Sequence, residues 1–535
     1  MEQVKLYDTT LRDGMQGEGM SLSASEKARV VLALDKLGVQ MIEAGFPSSN
    51  PKEVELFEQL AGLELEQATI CAFGMTRRRD TAAADDPALA TLVGSFAPVV
   101  TLVGKTWGLH LEKVTKVSRE ENLAMIADSI EFCRERGKRV VYDAEHFFDA
   151  YRDDPGYALA CLEAAVAAGA ENLSLCDTNG SSLPDQVATA TAAVAAKLGE
   201  RVEIGIHVHD DAGCGVANSL AAVREGARLV QGTVNGYGER CGNADLTSIL
   251  PNLQLKMGYE VVSPGQLATL TEAVHFVDEL CNLTPNPDAP YVGRNAFAHK
   301  GGMHVAGVAA DARTFEHIDP TAVGNQRNVL PSELSGKATI RDQAAQAGLE
   351  IDDEAAARAI ERLKEREHHG YHYEAAPASF ELLLRREAGS YKPLFKLESF
   401  RVVTEKRAGG TVETEATIKV EVDGERYVRV AEGNGPVNAL DQALRGAIAD
   451  RYPHLAEIEL TNYKVRILDE AHGTGAVTRV LLDTSRGGED WGTIGVSENV
   501  IEASWEALVD SFEYAFQPRR SGAGAAESAS TLPGG

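Results

Sequence analysis

VKLYDTTLRDG, Val4–Gly14, is the stretch on which the fold turns. Its first half is a short apolar strand, and its second half is the turn that follows. A doubly wound sheet that binds a dinucleotide places a glycine-rich turn after its first strand. Here the turn is Thr9-Thr10-Leu11-Arg12-Asp13-Gly14, polar and charged, with a glycine only at its end. Working outward, strand-like segments recur at Met41–Gly45, Thr69–Phe73, Val99–Gly104, Val140–Glu145, Leu173–Asp177, Ile204–His209 and Leu229–Gly236. With Val4–Asp8 they make eight. The stretches between them, such as Ser25–Leu37 and Asn122–Arg136, repeat apolar residues every three to four positions, the period of a helix. Gly38, Gly137, Gly169 and Gly226 mark helix-to-strand turns. Eight strand–helix units over about 250 residues predict an α/β fold of the TIM (β/α)8 type, with an open doubly wound sheet as the competing architecture.

Beyond Val277 the texture changes. Residues 282–345 are rich in Asn, Pro and Gly, and 350–366 have the spacing of a charged amphipathic helix. Strands are expected at Lys396–Glu405, Val412–Val422 and Glu425–Ala431, then a helix at Val437–Asp450. Strands at Thr461–Leu468 and Ala476–Asp483 and a helix at Asn499–Phe516 repeat the theme. The expected organisation is a barrel at 1–277, a helical linker at 278–390, an α+β domain at 391–516 and a disordered Ser/Gly/Ala-rich tail at 517–535.

Of 535 residues, 44% are hydrophobic and 25% charged, the balance of a chain with a substantial core. Acidic residues outnumber basic ones by 80 to 52, a net charge of −28, which argues against a nucleic-acid partner. No apolar run approaches the roughly 20 residues needed to span a bilayer. The opening MEQVKLYDTT lacks a basic region followed by an apolar segment, so no signal peptide and a cytoplasmic location are expected. The seven cysteines are scattered singly, as reduced thiols would be. Cys214 and Cys241 are read as buried filler.

A TIM barrel keeps its active site at the C-terminal ends of its strands. Those ends carry Arg12-Asp13, Glu43, Asp143-Ala144-Glu145-His146, Asp177-Thr178-Asn179, His207-Val208-His209-Asp210 and, after the last strand, Gly238–Ala244. Alternate strand residues share a face, so His207 and His209 can reach one ion. Asp13 and Asn243 on the same rim complete a mixed oxygen and nitrogen set suited to Mn²⁺, Mg²⁺, Co²⁺ or Zn²⁺. Asp13 as a cap or an ion-pair partner of Arg12, and Asn243 as a turn residue, are the plainer alternatives.

Asp8–Gln16 (DTTLRDGMQ) resembles the opening signature of the family of isopropylmalate, homocitrate and citramalate synthases, to which hydroxymethylglutaryl-CoA lyase is related. LCDTNG at Leu175–Gly180, HVHD at His207–Asp210 and GYGERCGN at Gly236–Asn243 are similar to its further signatures, in family order. The resemblance implies Asp13, His207, His209 and Asn243 as metal ligands and Arg12 as catalytic, with acetyl-CoA and a 2-keto acid as substrates. Arg12 would stabilise the alkoxide, and Glu145 is the barrel's best candidate to take part in removing the acetyl methyl proton, a nearby orienting role being the alternative. Thr178 would hold the substrate carboxylate, an ordinary helix N-cap being its plainer role. His299–His304 (HKGGMH) resembles the synthases' linker element, and His304 matches its catalytic histidine. Phe315 stands where many of these synthases have tyrosine. Glu432–Ala439 lies in a segment that looks like their effector domain, which implies a branched-chain amino acid effector such as isoleucine, though two α+β repeats could equally be a plain dimerisation module; the family's linker architecture implies a homodimer. Val100–Trp107 and Tyr142–Asp149 look most like the citramalate branch, which takes pyruvate. Trp107, Phe147 and Phe148 would either narrow the pocket or simply pack. Two rivals are a lyase running the reverse chemistry and a metabolite sensor without turnover.

Overall fold

In the computed structural model, which describes residues 2–329, 336–468 and 475–517, β1 (Lys5–Asp8) pairs on one side with β2 (Met41–Gly45) and on the other with β8 (Leu229–Gly232). That double pairing closes a parallel barrel through β3 (Thr69–Met75), β4 (Val99–Lys105), β5 (Arg139–Glu145), β6 (Asn172–Asp177) and β7 (Glu203–Val208). The open-sheet alternative is thereby excluded. Helices such as Ala24–Leu37 and Arg119–Glu135 return the chain between strands. Gly38, Gly137, Gly169 and Gly226 all take positive φ between them and the next strand, a region open to glycine at little cost.

Side chains alternate along each strand. The inward set at the bottom is apolar: Tyr7, Met41, Cys71, Val99, Val141 and Leu229 form a cluster apart from the main core. Two residues further up it turns polar, with Glu43, Thr101, Asp143 and Gln231, all buried. The outward set packs under the helices in a continuous core.

β8 ends four residues before its expected limit. Asn235 and Gly236 adopt φ of 53° and 70°, so the chain leaves the ladder for a short helical turn at Val234–Gly236. Among the described residues no helix is long and apolar enough to cross a membrane.

The chain divides into two compact units, Met1–Phe297 with Glu316–Asn328, and Ala298–Phe315 with Val329–Gly535. In the second, helices Lys337–Gln346, Asp353–His368 and Pro377–Glu387 enclose their own core around Leu363 and Phe380. Two antiparallel three-stranded sheets follow: Lys396–Lys406, Val412–Val422, Glu425–Gly433, and Glu459–Ile467, Thr478–Arg486, Glu489–Ser497. Helices Pro436–Ile448 and Val500–Phe516 bury Leu440, Leu444, Leu508 and Phe512 with Ile418, Val420, Val480 and Leu482 of the middle strands. The tail expected to be disordered lies, from 518 onward, outside the described residues.

The strand Glu489–Ser497 has no counterpart among the segments expected from sequence, because Gly492 and Gly495 interrupt its apolar pattern. Gly495 is there for proximity: a Cβ would stand 1.9 Å from the carbonyl oxygen of Ala503 in the covering helix. Gly495→Ala is therefore expected to destabilise the second unit by about 1–3 kcal/mol. Gly446→Ala, in a helix with nothing within 4 Å, is expected to be neutral or to stabilise by about 0.5–1 kcal/mol. Thermal melts of the two variants check the contrast, and an unchanged melt for Gly495→Ala would mean the helix does not sit on that strand.

Candidate active site

Asp13, in the turn after β1, is buried, and its Oδ2 lies 3.4 Å from His207 Nε2 and 3.9 Å from His209 Nε2. The two Nε2 atoms are 3.3 Å apart. His207 belongs to β7, and His209, just beyond it, is bridged to Asn243 in the loop after β8. Asn243 Nδ2 donates to the carbonyl of Tyr237 at 3.0 Å, leaving Oδ1 buried with no partner among the described residues. Three ligand atoms from Asp13, His207 and His209 gather within 4.8 Å of one another. Buried polar atoms are normally satisfied, and an orphaned amide oxygen beside such a cluster suits a cation ligand.

Burial works against the charge on Asp13, but Arg12 and His207 outweigh it and hold the carboxyl well below the usual range. Burial, followed by the repulsion of His207, pushes His209 down to about 4. At neutral pH Asp13 is thus anionic and His209 neutral, the states in which both donate to a cation. For His207, burial opposes the charged ring, yet the hydrogen bond and charge of Asp13 raise it overall.

Arg12 is held by two carboxylates and a ring. Its Nε donates to Glu43 at 2.5 Å, Nη1 lies 3.3 Å from Asp13, and the guanidinium stands 3.9 Å from the centroid of Phe73. Glu43 also accepts from Tyr7 at 3.0 Å. Nη2 is left without a partner among the described residues.

Glu145 and Lys105 face each other across β5 and β4 and form an ion pair. Next to them His146 adopts φ 57°, and its backbone N–H donates to Thr178 Oγ1 at 2.8 Å. Thr178 is therefore no N-cap; the following helix, Pro184–Leu198, starts six residues later. His146 Nδ1 lies 3.2 Å from Asp149, which also accepts from Arg152 and Asn179. The rings of His110 and His146 are 4.2 Å apart, and Trp107 stacks over His110 while its Nε1 donates to Asp153. Phe147 and Phe148 are buried in the barrel core, so they are packing residues.

Lys105, His110 and Gln231 carry no role in the sequence-based site. Lys105 was recoverable from strand alternation, since it and Glu145 end adjacent strands. Two further expectations need correction: Cys241 is exposed on the loop after β8 and Cys214 is half-buried, so neither is core filler. The guanidinium of Arg240, beside Cys241, grips Asp211 at 2.7 and 2.9 Å and so ties the loop after β8 to the one after β7. His304 lies in the second unit, where its ring stacks on Phe315 at 4.1 Å.

A closed barrel with an acid, two imidazoles and an anchored guanidinium on its C-terminal rim defines an enzyme of the HMGL-like class, whose pattern matches residues 3–277. A homocitrate synthase post-HMGL domain-like pattern matches 291–370, and a LeuA allosteric (dimerisation) domain 374–516. Across 95% of both chains it is 48% identical to an (R)-citramalate synthase of Synechocystis sp.. An (R)-citramalate synthase of Aquifex aeolicus is 46% identical over 96% of this chain and 98% of its own. A 2-isopropylmalate synthase of Methanocaldococcus jannaschii is 31% identical over 95% and 94%. The chain belongs to the citramalate synthase family.

Proposed function

We propose that the chain is an (R)-citramalate synthase, which joins acetyl-CoA to pyruvate and hydrolyses the thioester to citramalate and CoA. The observation that carries this reading is the near-complete match to relatives of that name, closer than the match to the isopropylmalate synthase. Asp13, His207, His209 and Asn243 would hold the divalent ion, Mn²⁺, Mg²⁺, Co²⁺ or Zn²⁺. When bound, such an ion supplies Lewis-acid polarisation of the keto group. Glu145 takes a proton from the acetyl methyl, and the methyl carbon then bonds to the keto carbon. Arg12, through its unused Nη2, steadies the negative charge that develops on the keto oxygen. Thr178 accepts from His146 and so keeps its hydroxyl hydrogen for the pyruvate carboxylate. Water then cleaves the thioester and CoA leaves.

His304, in the linker, would complete the catalytic set. The C-terminal domain would make a homodimer and bind isoleucine as a feedback effector, in a cytoplasmic enzyme of branched-chain amino acid synthesis. Thiol release by metal-loaded protein, measured with pyruvate, 2-oxoisovalerate, 2-oxobutyrate, 2-oxoglutarate and glyoxylate, tests the assignment. Pyruvate is expected to exceed each of the others by at least about tenfold in kcat/KM. Preference for 2-oxoisovalerate would transfer the chain to the isopropylmalate branch, and cleavage of a hydroxyacyl-CoA without any condensation would make it a lyase.

A further inference from the structure

Gln231 sits in the middle of β8 with no exposed surface, between Val230 and Gly232. A buried primary amide needs partners at both ends. Its Oε1 lies 2.9 Å from His207 Nδ1, and its Nε2 donates to Asp143 Oδ1 and to Ser174 Oγ, each at 2.8 Å.

Two contacts fix which way the amide points. Asp143 Oδ1 accepts from Nε2, so the NH2 end faces Asp143. Ser174 separately gives its hydroxyl hydrogen to Asn172 Oδ1 at 3.1 Å, and Asn172 Nδ2 donates to Glu203 at 3.3 Å. The Ser174 oxygen is therefore an acceptor toward Gln231, and it too requires the NH2 end. The carbonyl end is left for His207, so Nδ1 must carry a hydrogen. In the neutral ring the lone pair then sits on Nε2, the atom that converges with Asp13 and His209. His209 has no such brace: its Nδ1 is buried without a partner among the described residues.

We propose that Gln231 is a positioning residue that relays the Asp143 carboxylate to His207, fixing the tautomer and ring orientation with which His207 meets a divalent cation. The role rests on Asp13, His207 and His209 holding that cation. Metal-binding histidines commonly lean directly on a carboxylate. Here an amide is interposed, so Asp143 polarises the ring without lying in the ion's own shell.

The test is calorimetric titration of chelator-treated full-length protein with Mn²⁺ alone. Gln231→Leu is expected to bind about 10–100-fold more weakly than wild type, and Asp143→Asn several-fold more weakly. The double variant is expected to bind no more weakly than Gln231→Leu, because Asp143 acts through the amide. An unchanged affinity in folded Gln231→Leu overturns the proposal. So does an Asp143→Asn loss that persists in full beside Gln231→Leu, since that would be the carboxylate's direct field. If Gln231→Leu does not reach a wild-type melt, Asp143→Ala with Ser174→Ala decides: the protein whose Gln231 amide has neither anchor is expected to bind Mn²⁺ more weakly than either single variant, and equal affinity refutes the relay. Wild-type protein that binds no Mn²⁺, Co²⁺ or Zn²⁺ would sink the metal site itself, a different failure.

Discussion

Arg12→Lys is expected to lower kcat by about 10²–10³-fold while leaving divalent-ion affinity within a few-fold of wild type. Lysine keeps the charge and can still reach Glu43, whereas an alanine would strand a fully buried carboxylate and cost about 3–5 kcal/mol of stability. What lysine lacks is the planar fork that serves Glu43, Asp13 and a reacting oxygen at once. The present geometry uses Nε and Nη1 for the two carboxylates and seats the guanidinium on Phe73. A point charge drawn to Glu43 would have nothing left for the keto oxygen. Steady-state kinetics with the metal titrated in parallel decide it. Turnover within tenfold of wild type would reduce Arg12 to a brace for Glu43, and the sensor reading would survive if turnover were absent from wild type as well.

The second large effect is removal of the ion. Chelation is expected to abolish CoA release, readdition of Mn²⁺ or Co²⁺ to restore it, and ion at about 100 times its dissociation constant to add about 2.7 kcal/mol to stability. His209→Ala is the variant of choice, since among the described residues its ring touches polar atoms only at His207 and Asp13. It is expected to lose more affinity than the roughly 10–100-fold typical of an outer contact and to lose the metal-dependent rise in melting temperature. A His209→Ala protein that still melts higher with metal and still turns over would remove that residue from the ligand set.

The barrel was legible because each strand is an apolar run and each returning helix keeps its three-to-four spacing. The rim was legible because strand ends are where a barrel exposes polar side chains, and Asp13, His207 and His209 all fall there. The end of β8 was read too far along: Asn235-Gly236 is a turn signal, and the apolar pattern of Leu229–Val234 carried the expected strand across it. Gln231 was not legible, a single polar residue inside an apolar strand, whose partners lie 24, 57 and 88 residues away. Lys105 reads as a surface lysine until β4 and β5 are set in register. Residues whose meaning is a neighbour on another strand stay silent until the strands are paired.

All four residues of β1 pair with the eighth strand, and Tyr7 and Asp8 pair with the second as well. During synthesis, then, the first strand must wait with one edge bare until Gly232 has left the ribosome. At about 5–20 residues per second that interval is roughly 10–50 s. Asp13 and Asn243 are separated by the same wait, so the proposed cation pocket is assembled last, from the beginning and the end of the barrel. A nascent chain stalled before residue 229 should cross-link to holdase chaperones through the bare edges, and one stalled well past 243 should not.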